Sequence, residues 1–334
     1  MNTSKRGLVL GGGGAKGAYQ IGVWRALREM GLDQFDAISG ASVGALNAVL
    51  WASGDYENAY RVWSTLRFSD FITPSTDGQR MASRDGLRRI IREHADLAAV
   101  RTCPIPVYVN ILSAKTMQVE YRKLNGLSDT EIVDLLIASS SIPAVYGKAE
   151  VGGEQYWDGG FFIGGDNVPV YPLYHNENIR DLLIVELTGH ERVEFPADCR
   201  ALRIIPDYSL GNLLHFGQSA IAQRMEQGYR DTMALFSGTD PELPEVEALL
   251  DAVHSEQELE AFIRCGSYPN APLSVMDGGV FWDDICTIGS YRLQRNKQFL
   301  NLRILDGTGV RRAWWLRSCD FLAAIEKYKA LAVR

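Results

Sequence analysis

The sequence contains little that would tie the chain together covalently or hold it in a membrane. It has five cysteines among 334 residues, widely spaced and without a Cys-x-x-Cys pair, which predicts reduced thiols and no metal site. No run of roughly 18 apolar residues occurs, so no segment is predicted to span a bilayer. Met1 to Arg6 are mainly polar or charged, which predicts no signal peptide. Together these absences favour a cytoplasmic protein.

Positive charge is also scarce. The formal net charge is −7, so no nucleic-acid partner is expected. Lysine is absent between residues 181 and 289, whereas the region after residue 290 is basic and includes Val310–Ser318, with three arginines and two tryptophans. That segment fits either a surface resting on anionic lipid or an amphipathic hairpin strand whose arginines pair with the preceding acidic region.

A cluster of glycines follows a short apolar run near the start of the chain. Leu8–Leu10 has the length of a buried strand, and Gly11–Gly14 permit backbone conformations that other residues avoid. Beyond them, Ile21, Trp24 and Leu27 recur at helical spacing, which predicts a half-buried helix. The order strand, turn, helix would place backbone amides where an anion can bind.

The residues alone leave two interpretations of this loop open. Gly12, Gly14 and Gly17 match G-x-G-x-x-G, and Asp36 lies 19 residues after Gly17, as in a dinucleotide-binding fingerprint. Alternatively, the glycines form a tight turn that lets strand and helix pack. A Walker-type phosphate loop does not fit, because Lys16 precedes the last glycine and no hydroxyl residue follows it.

A second motif follows about 25 residues later. Gly40-Ala41-Ser42-Val43-Gly44 is a G-x-S-x-G between a short apolar run and a helix-like stretch, the context of a nucleophile elbow. A plainer alternative is an ordinary turn in which the Ser42 hydroxyl caps the next helix.

A nucleophilic serine needs a base, and histidine is scarce. The chain has five histidines, of which His175 and His190 follow strand-like or loop segments and could reach a site. Asp158 is the stronger candidate, because the aromatic residues before it would raise its pKa and the two glycines after it allow close backbone approach. A plain Asp-Gly hairpin turn is the alternative interpretation.

Five sequence blocks, taken in order, resemble the patatin-like phospholipase family. Gly12–Gly17, Gly40–Gly44 and Asp158–Gly160 are similar to its three signature blocks. Ile137–Gly147 is similar to its A-S-x-x-I-P segment, and Asn167–Pro169 to its N-x-P. The similarity extends over roughly residues 7 to 236.

The resemblance implies a role for each matched residue. It makes Ser42 the nucleophile, Asp158 the base, and the backbone amides of Gly12, Gly13 and Gly14 the donors of an oxyanion hole. Other motif residues would support this geometry: Lys16, Gly17, Gly40, Gly44, Gly159 and Gly160. We expect Lys16 to hold the loop rather than to attract an anionic head group, since it lies within the turn.

The implied activity is that of a lipid acyl hydrolase, a phospholipase A or lysophospholipase-like esterase. Its substrate would be a lipid or phospholipid acyl ester, and no cofactor is implied. Peripheral contact with a membrane is compatible with this activity, and no protein partner is implied. The alternatives are a catalytically silent or partner-activated lipid-binding protein on the same fold and, on the Asp36 interpretation, an NAD(P)-binding oxidoreductase.

One departure from the family pattern concerns the segment after Asp158. The family places the N-x-P asparagine about four residues after D-G-G, whereas here the segment is roughly three residues longer. The additional Phe161, Phe162 and Ile163 would line an acyl pocket or form a strand. Asp166 becomes a second carboxylate near the site, so the choice of Asp158 depends on the D-G-G match.

The wider pattern predicts an α/β fold with a mostly parallel central sheet flanked by helices on both faces. Residues 5–236 would form the patatin-like core, and 237–334 a C-terminal α/β extension packed on it. Predicted helices include 86–100, 210–236 and one or two acidic helices within 241–264. Ser128 and Glu131 predict a capping box at the start of a further helix.

Overall fold

The computed structural model describes residues 5–71, 73–74, 82–143, 145–189, 193, 195–239, 243–266 and 281–332. The chain divides into two compact units. The first contains Met1–Pro206 and Phe216–Met233, and the second contains Asp207–His215 and Ala234–Arg334. This division assigns residues 207–215 and 234–236 to the second unit, whereas the predicted core included them.

Strands and helices alternate along the first unit. Its strands are β1 (Arg6–Leu10), β2 (Ala37–Gly40), β3 (Thr73–Pro74), β4 (Ala82–Ser83), β5 (Val107–Ser113), β6 (Val119–Lys123), β7 (Ala149–Val151), β8 (Glu154–Asp158), β9 (Asp181–Val185) and β10 (Arg200–Ile204). Its helices are α1 (Ala18–Glu29), α2 (Val43–Ala52), α3 (Tyr56–Thr65), α4 (Phe68–Phe71), α5 (Asp85–His94), α6 (Leu97–Thr102), α7 (Asp129–Ser139) and α8 (Gln218–Ser237), the last of which ends in the second unit. A 3₁₀ turn covers Gly14–Gly17 and a π-helical turn covers Pro172–Asn176.

The central sheet confirms the predicted α/β class. Among the described residues it has eight strands, in the order β10-β9-β1-β2-β5-β8-β7, with β6 also paired to β5. Strands β10, β9, β1, β2 and β5 are parallel, whereas β6, β7 and β8 add antiparallel pairs at one side. Burial explains the composition of the parallel strands, because β1, β2, β5 and β9 are almost wholly buried and apolar.

Strand β5 brings two distant parts of the chain to one point. Its Val109 pairs with Gly40 of β2, and its Ile111 pairs with Asp158 of β8. Strand β6 pairs along the same stretch and occupies the other edge of β5, so β2 and β8 lie end to end. Two residues span about 6.6 Å along a strand, and Ser42 follows Gly40 by two residues. The sheet register therefore sets Ser42 beside Asp158.

Helix α1 is more buried than its apolar spacing predicts. Besides Ile21, Trp24 and Leu27, most of its other side chains are inaccessible. The reason is α8, which crosses α1 at backbone contact distance. A Cβ on Gly22 would collide with the Met225 carbonyl, and one on Gly228 would collide with the Tyr19 carbonyl. The predicted polar face is exposed at Arg25, Arg28 and Glu29, but α8 covers a further face, so the helix is more than half buried.

Two predicted helices have different bounds in the structure. The helix expected over 210–236 begins only at Gln218, because Gly211 adopts a positive φ of 77° and the Asn212 side chain accepts the Leu214 amide in a turn. The helix expected over 86–100 is broken into α5 and α6, where Asp96 caps the second helix through the Ala99 amide. The capping box of Ser128 and Glu131 is present and starts α7.

In its described residues the second unit contains the end of α8, three further helices and an antiparallel sheet. The helices are α9 (Pro244–Ala252), α10 (Glu256–Arg264) and α11 (Ser318–Ala332), so the acidic region forms two helices. The strands β11 (Trp282–Ile288), β12 (Tyr291–Asn296), β13 (Leu302–Leu305) and β14 (Arg311–Trp315) pair in sequence order.

The basic C-terminal segment forms a hairpin strand. Trp315 is buried in the core of the second unit, stacked on Phe262. Arg312 pairs with Asp306 in the hairpin turn, and Arg311 lies over the Trp314 ring. The structure thus favours the hairpin interpretation of Val310–Ser318, but Arg312 pairs within the hairpin and Arg317 pairs with Asp320 of α11 rather than with the preceding acidic region. No helix within the described ranges is long and apolar enough to cross a bilayer.

Candidate active site

Ser42 lies on a sharp turn between β2 and α2 in a backbone conformation that few residues adopt. Its φ is 52° and its ψ is −121°, a region that costs a non-glycine residue about 1–3 kcal/mol. Its side chain makes no capping bond to α2. Instead the Ser42 hydroxyl donates to Asp158 Oδ2 at 2.6 Å. The capping interpretation of Ser42 is therefore wrong, and the turn has the geometry of a nucleophile elbow.

The glycines around Ser42 are required by close packing. A Cβ on Gly40 would collide with the Gly44 carbonyl, and one on Gly44 would collide with the Leu10 carbonyl. A Cβ on Gly17 would lie 2.5 Å from Val43 Cγ2. The G-x-S-x-G pattern thus lets α2 start directly against the end of β1 and against the glycine-rich loop.

Asp158 is a buried carboxylate with both oxygens oriented. Its side chain is only 4% exposed, and that of Ser42 only 6%. Oδ1 accepts the backbone amide of Gly160 at 2.8 Å, which turns Oδ2 towards Ser42. Burial raises the pKa of Asp158 to about 7, although the hydrogen bonds from Ser42 and Gly160 oppose that rise. A carboxylate with this pKa can accept a proton at neutral pH.

The end of α7 holds both halves of the Ser42–Asp158 pair. The Ser139 hydroxyl accepts the backbone amide of Ser42 at 3.0 Å. The carbonyls of Ser141 and Ser139 accept the amides of Asp158 and Gly159, at 3.0 and 3.3 Å. These residues belong to the A-S-x-x-I-P block, which therefore positions the pair through short backbone contacts.

Asn110 is a positioning residue that the sequence analysis did not identify. It is fully buried on β5, and its Nδ2 donates to the carbonyls of Gly159 and Asp166 at 3.1 and 2.5 Å. Gly159 packs so closely on Asn110 that a Cβ would collide with it. The available signal was one asparagine within the otherwise apolar run Val107–Leu112, since a buried polar side chain needs a specific partner.

The glycine-rich loop lies directly against Ser42. A Cβ on Gly12 would be 3.1 Å from Ser42 Cβ and would collide with the Asn167 side chain. The Gly12 amide donates to the Asn167 carbonyl at 3.2 Å, whereas no described group accepts the amides of Gly13 and Gly14. Gly14 has a positive φ of 56° and starts the 3₁₀ turn. The expectation that Gly12 donates to an oxyanion does not fit its bond to Asn167.

Lys16 lies within this 3₁₀ turn. Its backbone amide donates to the Gly13 carbonyl at 3.2 Å, and its own carbonyl accepts the Ala18 amide. The main chain of Lys16 therefore closes the loop around Gly13 and Gly14.

A buried network of side chains holds the two ends of the glycine-rich loop. Gln20 Nε2 donates to the Gly11 carbonyl at 2.8 Å, and Asn47 Nδ2 donates to both the Gly17 carbonyl and Gln20 Oε1. The Trp63 indole donates to Asn47 Oδ1 at 2.9 Å. Sequence reasoning missed these residues, because each looks like an ordinary helical position until the helices are packed together.

Arg224 of α8 is a further buried contact to the loop. Its side chain is fully inaccessible, and Nη1 donates to the Ala15 carbonyl at 3.2 Å. A charged side chain is almost never buried so completely without specific partners. Ala15 follows Gly14, so α8 supports the loop from a part of the chain far along the sequence.

The alternative site residues lie elsewhere or are engaged elsewhere. Asp166 accepts the Tyr121 hydroxyl through Oδ2 and the Val168 amide through Oδ1. His175 packs against the rings of Tyr171 and Tyr174, and His190 lies outside the described residues. Among the part of the chain that the structure describes, no group of three His, Cys, Asp or Glu side chains could hold a metal ion.

The dinucleotide interpretation does not fit the position of Asp36. This residue precedes β2, and its carboxylate accepts the Arg6 amide at the start of β1. The glycine loop follows the opposite end of β1. The acidic residue of a dinucleotide fingerprint must reach a ribose near the glycines, so Asp36 is at the wrong end of the sheet.

The fold and the site together define an α/β protein with a serine–aspartate pair on a strand-to-helix turn beside a glycine-rich loop. A model of the patatin-like phospholipase family matches residues 8–174, half of the chain. The chain belongs to the patatin-like phospholipase family.

Curated relatives are similar over parts of their length. An uncharacterized NTE family protein of Mycobacterium tuberculosis is 29% identical over 190 residues, which cover 55% of this chain and 49% of that protein. The chain thus spans about half the length of that relative. The neuropathy target esterase of Drosophila persimilis is 53% identical over 47 residues, which cover 14% of this chain and 3% of that protein.

A solved structure has the same fold. VipD from Legionella pneumophila aligns with a TM-score of 0.51 at 15% sequence identity, and the alignment covers 70% of this chain and 67% of VipD. At this level of identity the similarity concerns the fold alone.

The strained turn at Ser42 leads to a prediction about stability. Glycine normally destabilises a protein relative to alanine, by about 0.5–1 kcal/mol in a helix. At Ser42 we expect the opposite sign, with Ser42→Gly more stable than Ser42→Ala by about 1–2 kcal/mol, because alanine keeps the strain. Denaturant unfolding of both variants gives the difference. Ala222→Gly, at an exposed position in α8, is the control and should lower the free energy of unfolding, as glycine in a helix normally does. If Ser42→Gly were instead less stable than Ser42→Ala, the turn at Ser42 would not be strained.

Proposed function

We propose that the protein is a lipid acyl hydrolase that cleaves fatty-acyl esters through a Ser42–Asp158 dyad. The observation that carries the proposal is the 2.6 Å hydrogen bond from Ser42 Oγ to Asp158 Oδ2 in a buried site. A hydroxyl next to a base that can accept its proton is an activated nucleophile.

The first half of the reaction forms an acyl-enzyme. The Ser42 oxygen attacks the ester carbonyl carbon, and Asp158 accepts the hydroxyl proton through Oδ2. The carbonyl oxygen becomes an oxyanion in the tetrahedral intermediate. When this intermediate collapses, the carbon–oxygen bond to the alcohol breaks, and the proton on Asp158 passes to the departing alkoxide.

We assign the oxyanion hole to the amides of Gly13 and Gly14. Gly13 precedes the 3₁₀ turn and Gly14 is its first residue, and a Cβ on the neighbouring Gly12 would lie 3.1 Å from Ser42 Cβ, so the loop lies beside the carbon under attack. Gly12 is left out because its amide already donates to Asn167. Removing one such donor typically costs about 3–4 kcal/mol of transition-state stabilisation.

The second half of the reaction returns the enzyme to its starting state. Water attacks the acyl carbon while Asp158 takes one of its protons. Ser42 then leaves and recovers its proton, and the fatty acid departs. These steps use a hydroxyl, a carboxylate and backbone amides, and they require no cofactor.

The proposed substrate is a lipid or phospholipid acyl ester. The matching family is described as phospholipases, and a relative that matches 47 residues of this chain is named an esterase. A substrate of this kind resides in membranes, so we also propose that the protein contacts a membrane peripherally; the cytoplasmic location expected from the sequence stays a proposal.

Removal of either member of the dyad should abolish turnover. We expect Ser42→Ala to lower kcat on a fatty-acyl ester by at least about 10³-fold, and Asp158→Asn by at least about 10²-fold, since asparagine accepts no proton at neutral pH. Fatty-acid release from phosphatidylcholine and from p-nitrophenyl butyrate measures both. Asp166→Asn is the matched carboxylate control and should stay within a few-fold of wild type.

A contrary outcome would be equally clear. If Asp158→Asn stayed active while Asp166→Asn, His175→Ala or His190→Ala did not, the base would be a different residue. If wild-type protein released no fatty acid from either ester, the hydrolase assignment itself would fail.

The raised pKa of Asp158 predicts the pH dependence of the reaction. The base acts only when it is deprotonated, and burial raises its pKa to about 7. For an uncharged ester, kcat/KM should therefore fall about tenfold per pH unit below about pH 7 and level off above it. Asp166→Asn should keep the same profile. An acid limb centred near the ordinary carboxylate value of 3.8 would show that Asp158 is not the titrating base.

A further inference from the structure

The chain directly after Asp158 forms an ordered loop with apolar residues at its end. The Phe161 amide donates to the Asp158 carbonyl at 3.1 Å, and the Gly165 amide donates to the Phe161 carbonyl at 2.9 Å. The Asp166 amide donates to the Gly159 carbonyl at 2.8 Å. These bonds close the base of the loop, so its conformation is defined while its end projects.

The side chains at that end face solvent. Phe162 is 86% exposed and Ile163 is 56% exposed, and the Phe162 ring lies 4.6 Å from that of its neighbour Phe161. The segment is thus not a strand, and its exposed Phe162 and Ile163 do not line a closed acyl pocket; the half-buried Phe161 is left with that expectation. Two large adjacent apolar side chains are thus left in water, and the stabilisation that their burial would give is forgone.

A neighbouring turn adds to this surface. Gly164 lies against Met117 in the turn between β5 and β6, since a Cβ on Gly164 would be 3.1 Å from the Met117 carbonyl and 3.8 Å from Met117 Cε. Met117 is 40% exposed, and Lys115, two residues earlier, is exposed as well. We call Phe162, Ile163 and Met117 the apolar tip.

We propose that the apolar tip inserts into the surface of a phospholipid bilayer and delivers the substrate to Ser42. This inference rests on the proposed function. The tip is joined to Asp158 by three residues, so its insertion brings the membrane to the edge of the dyad. Aromatic and aliphatic side chains with a lysine beside them match the boundary between acyl chains and phospholipid head groups.

A protein partner fits the tip less well than a bilayer. A stable protein interface buries about 800 Å² per partner, far more than three side chains on a projecting loop offer. The C-terminal Arg-Trp segment, the other sequence candidate for membrane contact, has Trp315 buried in the core of the second unit.

Vesicle binding of an inactive protein tests the tip without interference from turnover. In a Ser42→Ala background, Phe162→Ser and Ile163→Ser should each weaken co-sedimentation with phosphatidylcholine–phosphatidylglycerol vesicles about tenfold, the effect of losing one buried apolar side chain. The matched control is Phe299→Ser, at a phenylalanine 58% exposed in the second unit, which should bind as the parent does.

Activity assays complete the test in the Ser42 form of the protein. Phe162→Ser should lower fatty-acid release from vesicles about tenfold while turnover of soluble p-nitrophenyl butyrate stays within twofold of wild type. A protein with no activity on either ester would contradict the proposed function. The vesicle-binding comparison would still test whether the apolar tip inserts into the bilayer.

Three results would overturn the inference. The first is equal vesicle binding by the tip variants and by Phe299→Ser, or no vesicle binding at all. The second is an equal loss of soluble and vesicular turnover in Phe162→Ser, which would place the side chain in the acyl site. The third is a homodimer, detected by light scattering, that Phe162→Ser dissociates, because the tip would then be a protein interface.

Discussion

The hydrogen bond between Ser42 and Asp158 joins residues 116 positions apart, and much of the first unit is arranged around it. The register of β5 sets the ends of β2 and β8 beside each other. The end of α7 then bonds to the backbone at both residues. A shift of one residue in either strand pairing would turn a side chain to the opposite face of the sheet, so the dyad depends on the sheet being correctly paired.

This arrangement carries a stability cost that packing must offset. Ser42 holds a positive φ, and Asp158 is a carboxylate with almost no access to water. Because burial raises the pKa of Asp158 from 3.8 to about 7, the fold loses stability as the pH rises between those values and carries that cost above pH 7. The close crossing of α1 and α8, and the bond from Arg224 to the Ala15 carbonyl, are among the contacts that hold the loop despite this cost.

Local sequence signals predicted the elements around the site, whereas contacts between residues far apart in the sequence determine how those elements are held together. G-x-S-x-G and D-G-G identified two residues that the structure places in contact, because glycine lets backbones approach more closely than a Cβ would allow, as at Gly40, Gly44 and Gly159. The sequence could not indicate that Asn167 takes the Gly12 amide, since that bond joins loops 155 residues apart. Asn110 and Arg224 were not identified for the same reason. Each makes its contact with the site only once β5 or α8 has packed beside it.

Intact-mass spectrometry after exposure to a fluorophosphonate tests the central claim most directly, because this reagent phosphonylates an activated serine far faster than an ordinary hydroxyl. The account predicts one adduct on the wild-type protein, mapped to Ser42 by peptide analysis and absent from Ser42→Ala. The adduct should form much more slowly on Asp158→Asn. An adduct on another serine, or none on folded wild-type protein, would contradict the claim that Ser42 and Asp158 form a working nucleophile and base.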